Sequence, residues 1–388
     1  MPTRLLVVDD EPDLELLIRQ KFRRRVRSGE IDFVFAGDGI EALAALEANP
    51  DIAVVLTDIN MPRMDGLTLL DRIGDLDRLI KVVIVSAYGD MSNIRTAMNR
   101  GAFDFIIKPI DFVDLETTVD KTIREVEALQ EATVLRTQLD SLQHELDLAR
   151  QIQLSSLPSR FPAFPDRSDF DLHATMLPAR EVGGDFYDFF LVDDDRLGFV
   201  LGDVSGKGMG AALFMAVTRT MVRATALRGL PVETCVRHVN RVLHPESLPR
   251  MFVTLIYGLL DTRTGAVTYC NAGHNLPYVV RASGEVALVP RTGGIGLCLA
   301  SDFDYQPGTI TLQPGDSLLL YTDGVTEAVD EHNEQFEEER LATCLHASNG
   351  EAAEPMIRHV LHTVEVFADG TAQADDLTLL ALRYRGRA

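Results

Sequence analysis

The first third of the chain leaves little choice of fold, because five short apolar runs alternate there with helix-like patterns. Arg4 to Val8 is the first run, followed by a helix that Pro12 and Asp13 open. Ile31 to Ala36 is the second strand and Gly39 to Ala48 the next helix. Ile52 to Thr57, Ile80 to Val85 and Phe103 to Ile107 complete the set, again with helical patterns between them. Apolar strands alternating with helices are covered on both faces, so the pattern predicts a doubly wound α/β domain with a five-stranded parallel sheet. In such a sheet, function collects at the carboxyl ends of the strands.

Those ends carry polar residues. Asp9 and Asp10 close the first strand, Asp58 the third, Ser86 the fourth, and Lys108 with Pro109 the fifth. Three carboxylates brought together without a cation repel one another, so a bound Mg²⁺ is expected, and a phosphoryl group on one of them needs both that cation and Lys108. From Thr3 to Thr122 the pattern resembles the receiver domain of two-component response regulators. The resemblance implies Asp58 as phosphoacceptor, with Asp9, Asp10, Asp58 and the carbonyl of Asn60 holding Mg²⁺. It implies Lys108 as the phosphoryl partner, Ser86 as the switching hydroxyl and Phe105 as the aromatic switch residue. A sensor histidine kinase or phosphotransfer protein is the implied partner. An acyl phosphate adds up to about two negative charges, which gives Ser86 a contact that differs between two states.

From Asp111 the helical pattern runs on, with no proline or glycine before Pro158. Ala128, Ala132, Leu135, Leu139, Leu142, Leu146 and Ala149 recur in alternating steps of four and three, the seam of a coiled coil, while Glu131, Arg136, Asp140, Glu145 and Arg150 suit an exposed surface. The reading is a receiver domain over 1–122, a helical coiled-coil linker over 123–157 and a further domain over 158–388, with a parallel homodimer formed through the linker. A single helix packed on one domain is the alternative.

The second half places acids at strand edges. Val182 to Asp188 reads VGGDFYD and Gly202 to Gly208 reads GDVSGKG, with a buried strand, Leu197 to Leu201, between them. Leu318 to Tyr321 is another buried strand, ending at Thr322 and Asp323, and Asp375 with Asp376 precedes the strand Leu377 to Leu382. Carboxylates without His or Cys beside them suit Mg²⁺ or Mn²⁺ rather than Zn²⁺. The four motifs in this order resemble the bacterial branch of PP2C-type, metal-dependent Ser/Thr protein phosphatases that act in sigma-factor partner switching, over Leu157 to the C-terminus. The segment Gln151 to Pro158 resembles the helix end that precedes such domains.

That resemblance implies an α+β domain, a β-sandwich flanked by helices, with two Mn²⁺ or Mg²⁺ ions at one end. Asp185 would bridge both ions, Asp203 and the carbonyl of Val204 would hold one, and Asp323 with Asp375 would complete the other; Asp376 stays open as the ligand in place of Asp375. Arg180, Lys207 and His274 are candidate phosphate contacts, each against a plainer role as a solvated surface residue or, for His274, a loop brace. Ser205 stands where eukaryotic relatives carry a histidine. Helix Gly210 to Leu227, beside the Asp203 turn, is positioned to carry linker movement to the acids. The implied substrate is phosphoserine or phosphothreonine on a phosphorylated anti-sigma-factor antagonist. The alternative is a catalytically inactive adaptor that binds a sigma or anti-sigma factor and controls its degradation or sequestration.

Charge narrows the partners. With 37 basic and 59 acidic residues the net charge is −22, which repels nucleic-acid phosphate and anionic lipid, so neither nucleic acid nor membrane is an expected partner. The basic cluster Lys21 to Arg27 is the local exception, read as a solvated face or a docking patch. Cys235, Cys270, Cys298 and Cys344 lie far apart, as apolar fillers in a reducing compartment. No long apolar segment opens the chain, and the most apolar window, Met251 to Leu260, is too short to span a bilayer, so a cytoplasmic location is expected.

Overall fold

The computed structural model describes residues 2–87, 91–247 and 251–387. Met1 and Ala388, the outer limits of the expected domains, lie outside them. The chain divides into two compact units, Met1–Leu142 and Gln143–Ala388.

The first unit holds strands β1 (Thr3–Val8), β2 (Ile31–Ala36), β3 (Ile52–Asp58), β4 (Lys81–Ala87) and β5 (Asp104–Lys108). They form one parallel sheet in the order β2-β1-β3-β4-β5, the doubly wound arrangement expected of the alternation. The period of two splits each strand between two cores. Leu5, Val7, Val54, Leu56, Val83 and Val85 face Leu14, Ile18, Leu115 and Val119, whereas Leu6, Val8, Val55 and Ile84 face Ala42, Leu46 and Leu69 on the other side.

A single helix of 45 residues, Phe112–Ser156, follows β5. Leu115, Val119, Ile123 and Val126 are buried, spaced as one helical face. The helix therefore stays packed on the receiver-type sheet past Thr122, as far as Val126. The basic cluster is engaged at this same place: Lys21 pairs with Glu116 at 2.9 Å and Arg25 with Asp120 at 2.5 Å. Further along, the seam residues Leu135, Leu139 and Leu142 are 58%, 57% and 53% exposed. Near its end the helix is buried again at Gln153, and Leu157 just beyond it joins the core of the second unit.

In the second unit ten antiparallel strands form two five-stranded sheets. One contains β7 (Phe186–Leu191), β8 (Arg196–Val204), β9 (Val253–Asp261), β10 (Ala266–Ala272) and β13 (Pro307–Thr311), in the order β13-β10-β9-β8-β7. The other contains β6 (Phe170–Leu177), β11 (Tyr278–Val280), β12 (Val286–Leu288), β14 (Ser317–Tyr321) and β15 (Leu377–Tyr384), in the order β12-β11-β14-β15-β6. Alternation again sets the layers. Leu318, Leu320, Leu380 and Leu382 join the core shared with the first sheet. Leu319, Tyr321, Leu379 and Ala381 face helices Glu337–Ala347 and Ala353–Ala368. Helices Met209–Ala226 and Val232–Leu243 cover the first sheet. Cys235, Cys270 and Cys344 are buried fillers, and burial pushes the Cys235 and Cys270 thiols up to about 12. Among the described residues, no helix is long and apolar enough to cross a membrane.

Candidate functional site

Strands β1 and β3 are neighbours in the parallel sheet and β5 lies one strand further on, beyond β4, so all three carry their terminal polar residues to the same edge. Ligand atoms of Asp9, Asp10 and Asp58 all lie within 4.8 Å of one another. Lys108 Nζ donates to Asp9 Oδ2 at 2.9 Å and to Asp58 Oδ2 at 2.8 Å. Burial opposes the charge on Lys108, but its hydrogen bonds to these two carboxylates outweigh that and raise its pKa. Burial also raises the Asp9 carboxyl, with Asp58 adding to the shift against the hydrogen bond from Lys108. One ammonium thus serves several acids, and this donor set fits a hard divalent cation. Ser86 is buried near the end of β4, one strand from Asp58, and Phe105 is half-buried on β5. Asn60 is exposed, and its N–H donates to Asp58 Oδ1 at 3.3 Å.

In the second unit the acids meet where the two sheets end. Asp185 immediately precedes β7 and Asp203 lies near the end of β8, and the register Phe186↔Gly202 sets them side by side. Asp323 follows β14, and Asp375 and Asp376 precede β15, its neighbour. The glycines of VGGD allow the close approach. A Cβ on Gly184 would stand 2.6 Å from the carbonyl oxygen of Val204 and 3.3 Å from Asp203 Oδ1.

The electrostatics of this group are unfavourable as the carboxylates stand. Asp185 is buried, and that burial together with Asp203 and Asp376 raises its pKa well above the carboxylate range, although Thr322 Oγ1 donates to its Oδ2 at 2.7 Å. Burial, then Asp323, Asp375 and Asp376, push Asp203 up to about 7. Asp323 is raised by burial and by Asp375, and Glu327 by burial, Asp323 and Asp375. Acids whose ionisation is hindered in this way by burial and by neighbouring carboxylates form a donor set that divalent cations relieve. Among the described residues only the Asp9, Asp10 and Asp58 group has at least three such acids with ligand atoms all within 4.8 Å of one another, so the acids of the second unit do not form one compact single-ion cluster as they stand.

Residues 5–120 match the response regulator receiver domain, and residues 193–385 match Stage II sporulation protein E (SpoIIE). The chain joins a response regulator receiver domain to a SpoIIE-family domain. It is 34% identical to "Protein IcfG" of Synechocystis sp. over 269 residues, 62% of this chain and 41% of that protein. It is 26% identical to "Phosphoserine phosphatase RsbU" of Bacillus subtilis over 274 residues, 71% of this chain and 80% of that one. The chain therefore spans less than half of the Synechocystis relative. The SiaA-PP2C domain of Pseudomonas aeruginosa has the same fold, with a TM-score of 0.56 and 21% identity, covering 63% of this chain and 98% of that one.

Around the acids of the SpoIIE domain, the two adjacent aspartates have different surroundings. Asp376 is buried, and its carboxylate accepts the N–H groups of Ala179 at 2.9 Å and Gly184 at 2.8 Å. Asp375 is partly exposed, and its Oδ2 lies 3.0 Å from Lys207 Nζ. One aspartate holds the VGGD loop in place, while its neighbour pairs with Lys207 at the surface. Lys207 also donates to the carbonyl of Ala374 at 2.6 Å, so it bridges two motifs rather than standing free for phosphate. His274 is the brace of its own loop. Its N–H donates to Asn271 Oδ1 at 2.7 Å, its ring shares a hydrogen bond with Thr254 Oγ1 at 2.9 Å, and burial pushes its pKa down to about 4. Arg180 is exposed. Ser205 Oγ accepts the N–H of Phe252 at 2.9 Å, tying its turn to the start of β9.

Two supporting groups went unassigned in the sequence. Gln153, buried near the end of the long helix, donates from Nε2 to the carbonyl of Gly183 at 2.6 Å, and its Oε1 accepts the Gly183 N–H at 3.1 Å. The VGGD loop is thereby clamped to the helix that leads into the second unit. Asp188, fully buried, pairs with Arg219 at 3.1 Å and Arg223 at 2.7 Å, fixing β7 to helix Met209–Ala226. Both residues stand inside the motifs quoted from the sequence, but nothing local names their partners.

Proposed function

We propose that this chain is a phosphorylation-controlled protein phosphatase that hydrolyses phosphoserine or phosphothreonine on a regulatory phosphoprotein, of the anti-sigma-factor-antagonist class. The carrying observation is the mutual strain of Asp185, Asp203 and Asp323, acids at converging strand ends whose ionisation burial and neighbouring carboxylates oppose, as divalent cations would relieve. Asp185, Asp203, Asp323, Asp375 and the carbonyl of Val204 would hold two Mn²⁺ or Mg²⁺ ions. Such ions, when bound, neutralise a phosphate ester and lower the pKa of water near it.

The protein's own work is positional. Asp376 and Gln153 fix the backbone that carries Asp185, and Thr322 orients the Asp185 carboxylate by donating to it. Lys207 holds Asp375 at the edge of the site. In the receiver, Asp58 accepts the phosphoryl group from a histidine kinase or phosphotransfer partner, Mg²⁺ is held by Asp9, Asp10, Asp58 and the Asn60 carbonyl, and Lys108 binds phosphoryl oxygens. Ser86 and Phe105 then report the change. The exposed leucine seam supports a homodimer through the linker, and the protein works in the cytoplasm. The adaptor alternative is disfavoured because every acid of the set is present.

The test is Mn²⁺-dependent release of phosphate from p-nitrophenyl phosphate and from a phosphoserine protein. Asp203→Ala abolishes it, and beryllofluoride alters it only while Asp58 is intact. Full activity in excess chelator would remove the metal mechanism.

A further inference from the structure

Beside the acids, the second unit holds a cavity of 570 Å³ that the hydrolysis itself does not require. Its floor is apolar. Leu177 at the end of β6 and Val329 contribute, with Leu361, Val364 and Ala368 from helix Ala353–Ala368. Steps of three and four place those last three on one face of the helix. The inner wall is Lys207, Gly324 and Asp375, so the cavity opens directly next to the carboxylates where a phosphate ester must sit.

Size and charge say what fits. A cavity of this volume lies within the range of about 300–1,000 Å³ typical of ligand pockets, far more than a phosphate occupies. Glu327 and Glu365 stand on its exposed edge. Lys207, the cation of the wall, is engaged with Asp375 and the Ala374 carbonyl, which leaves the mouth acidic. An extended peptide rises about 3.3–3.6 Å per residue, so side chains two to four positions from a bound phosphoserine reach a cavity that shares a wall with the acids.

We propose that this cavity is the specificity subsite of the phosphatase domain. It takes an apolar side chain of the substrate phosphoprotein, close in sequence to the phosphoserine, with a basic residue beside it against Glu327 and Glu365. The inference rests on the phosphatase reading and deepens it, because the acids alone would accept any phosphate ester whereas the cavity selects among proteins.

The experiment uses the full chain with Mn²⁺ and two synthetic phosphoserine peptides, one with leucine and lysine two to four residues from the phosphoserine, the other with glycine and glutamate there. p-Nitrophenyl phosphate, which carries no neighbouring peptide side chains, is the control. The expected result is a kcat/KM about tenfold higher for the leucine and lysine peptide, carried mainly by KM. Ala368→Phe, which fills the cavity, and Ala372→Trp, which obstructs its mouth, both erase that preference, and Ala368→Phe leaves p-nitrophenyl phosphate turnover unchanged. Glu365→Lys removes the part of the preference owed to lysine. Equal kcat/KM for the two peptides, or a preference that survives both filling variants, overturns the proposal while the control still turns over. A changed assembly mass in Ala368→Phe assigns the cavity to a second copy of the chain and also overturns it. No turnover of the control or of either peptide is a failure of the phosphatase reading, and this inference goes with it.

Discussion

Replacing Gln153 with leucine isolates the clamp between the long helix and the VGGD loop. Leucine keeps most of the buried volume, so packing changes little, but Gly183 loses the acceptor for its N–H and the donor to its carbonyl, at 3.1 and 2.6 Å. Each buried backbone group left without a partner costs roughly 1–3 kcal/mol, so the variant is expected to lose about 2–6 kcal/mol. For a domain of this size that is a fall of roughly 5–15 °C in the transition of the second unit. Tyrosine near-UV circular dichroism reads that transition selectively, because the chain has no tryptophan and every tyrosine except Tyr88 lies in the second unit. Gly183 is two residues from Asp185, so the same variant should need several-fold more Mn²⁺ for half-maximal turnover. Gln153→Glu should be at least as harmful, since one of its oxygens would face the Gly183 carbonyl. A transition within about 2 °C of the parent, together with an unchanged Mn²⁺ requirement, would refute the clamp.

The two neighbouring aspartates should separate in function. Asp375→Asn is expected to lower Mn²⁺-dependent turnover at least about a hundredfold with an unchanged unfolding transition, whereas Asp376→Ala lowers the transition as well, because Ala179 and Gly184 lose their acceptor. In chelator, stability should fall as the pH rises. The Asp203 carboxyl is held near 7 in the folded chain against 3.8 ordinarily, so the folded state binds that proton more tightly. The penalty is absent below pH 3.8 and complete above about 7, and amounts to at most about 4 kcal/mol. Asp203→Asn should therefore stabilise the chelated protein at pH 8 and not at pH 4, as read by the same tyrosine signal. In the linker, Leu135→Glu combined with Leu142→Glu should halve the mass seen by light scattering without changing the tyrosine signal. An unchanged mass would place the dimer elsewhere or remove it.

Much of this protein is written locally. Five apolar runs with an acid, a serine or a lysine at their ends dictate a parallel sheet and its site, because side chains at the ends of adjacent parallel strands have nowhere else to converge. The acids of the second half are also legible, since glycine beside aspartate at a strand edge marks close approach of backbone to a charged group. Tertiary structure decided what residue identity cannot. Asp375 and Asp376 are chemically alike and adjacent, yet only Asp376 finds the N–H groups of Ala179 and Gly184, nearly two hundred residues earlier, because β15 pairs with β6. Gln153 looks like one more polar residue of a long helix until Gly183 packs against it. The receiver core likewise extends to Val126 because a helix keeps burying residues for as long as it lies against a sheet. Short-range periodicity fixes each strand and helix, but partners distant in sequence are set by which faces the folded chain brings together.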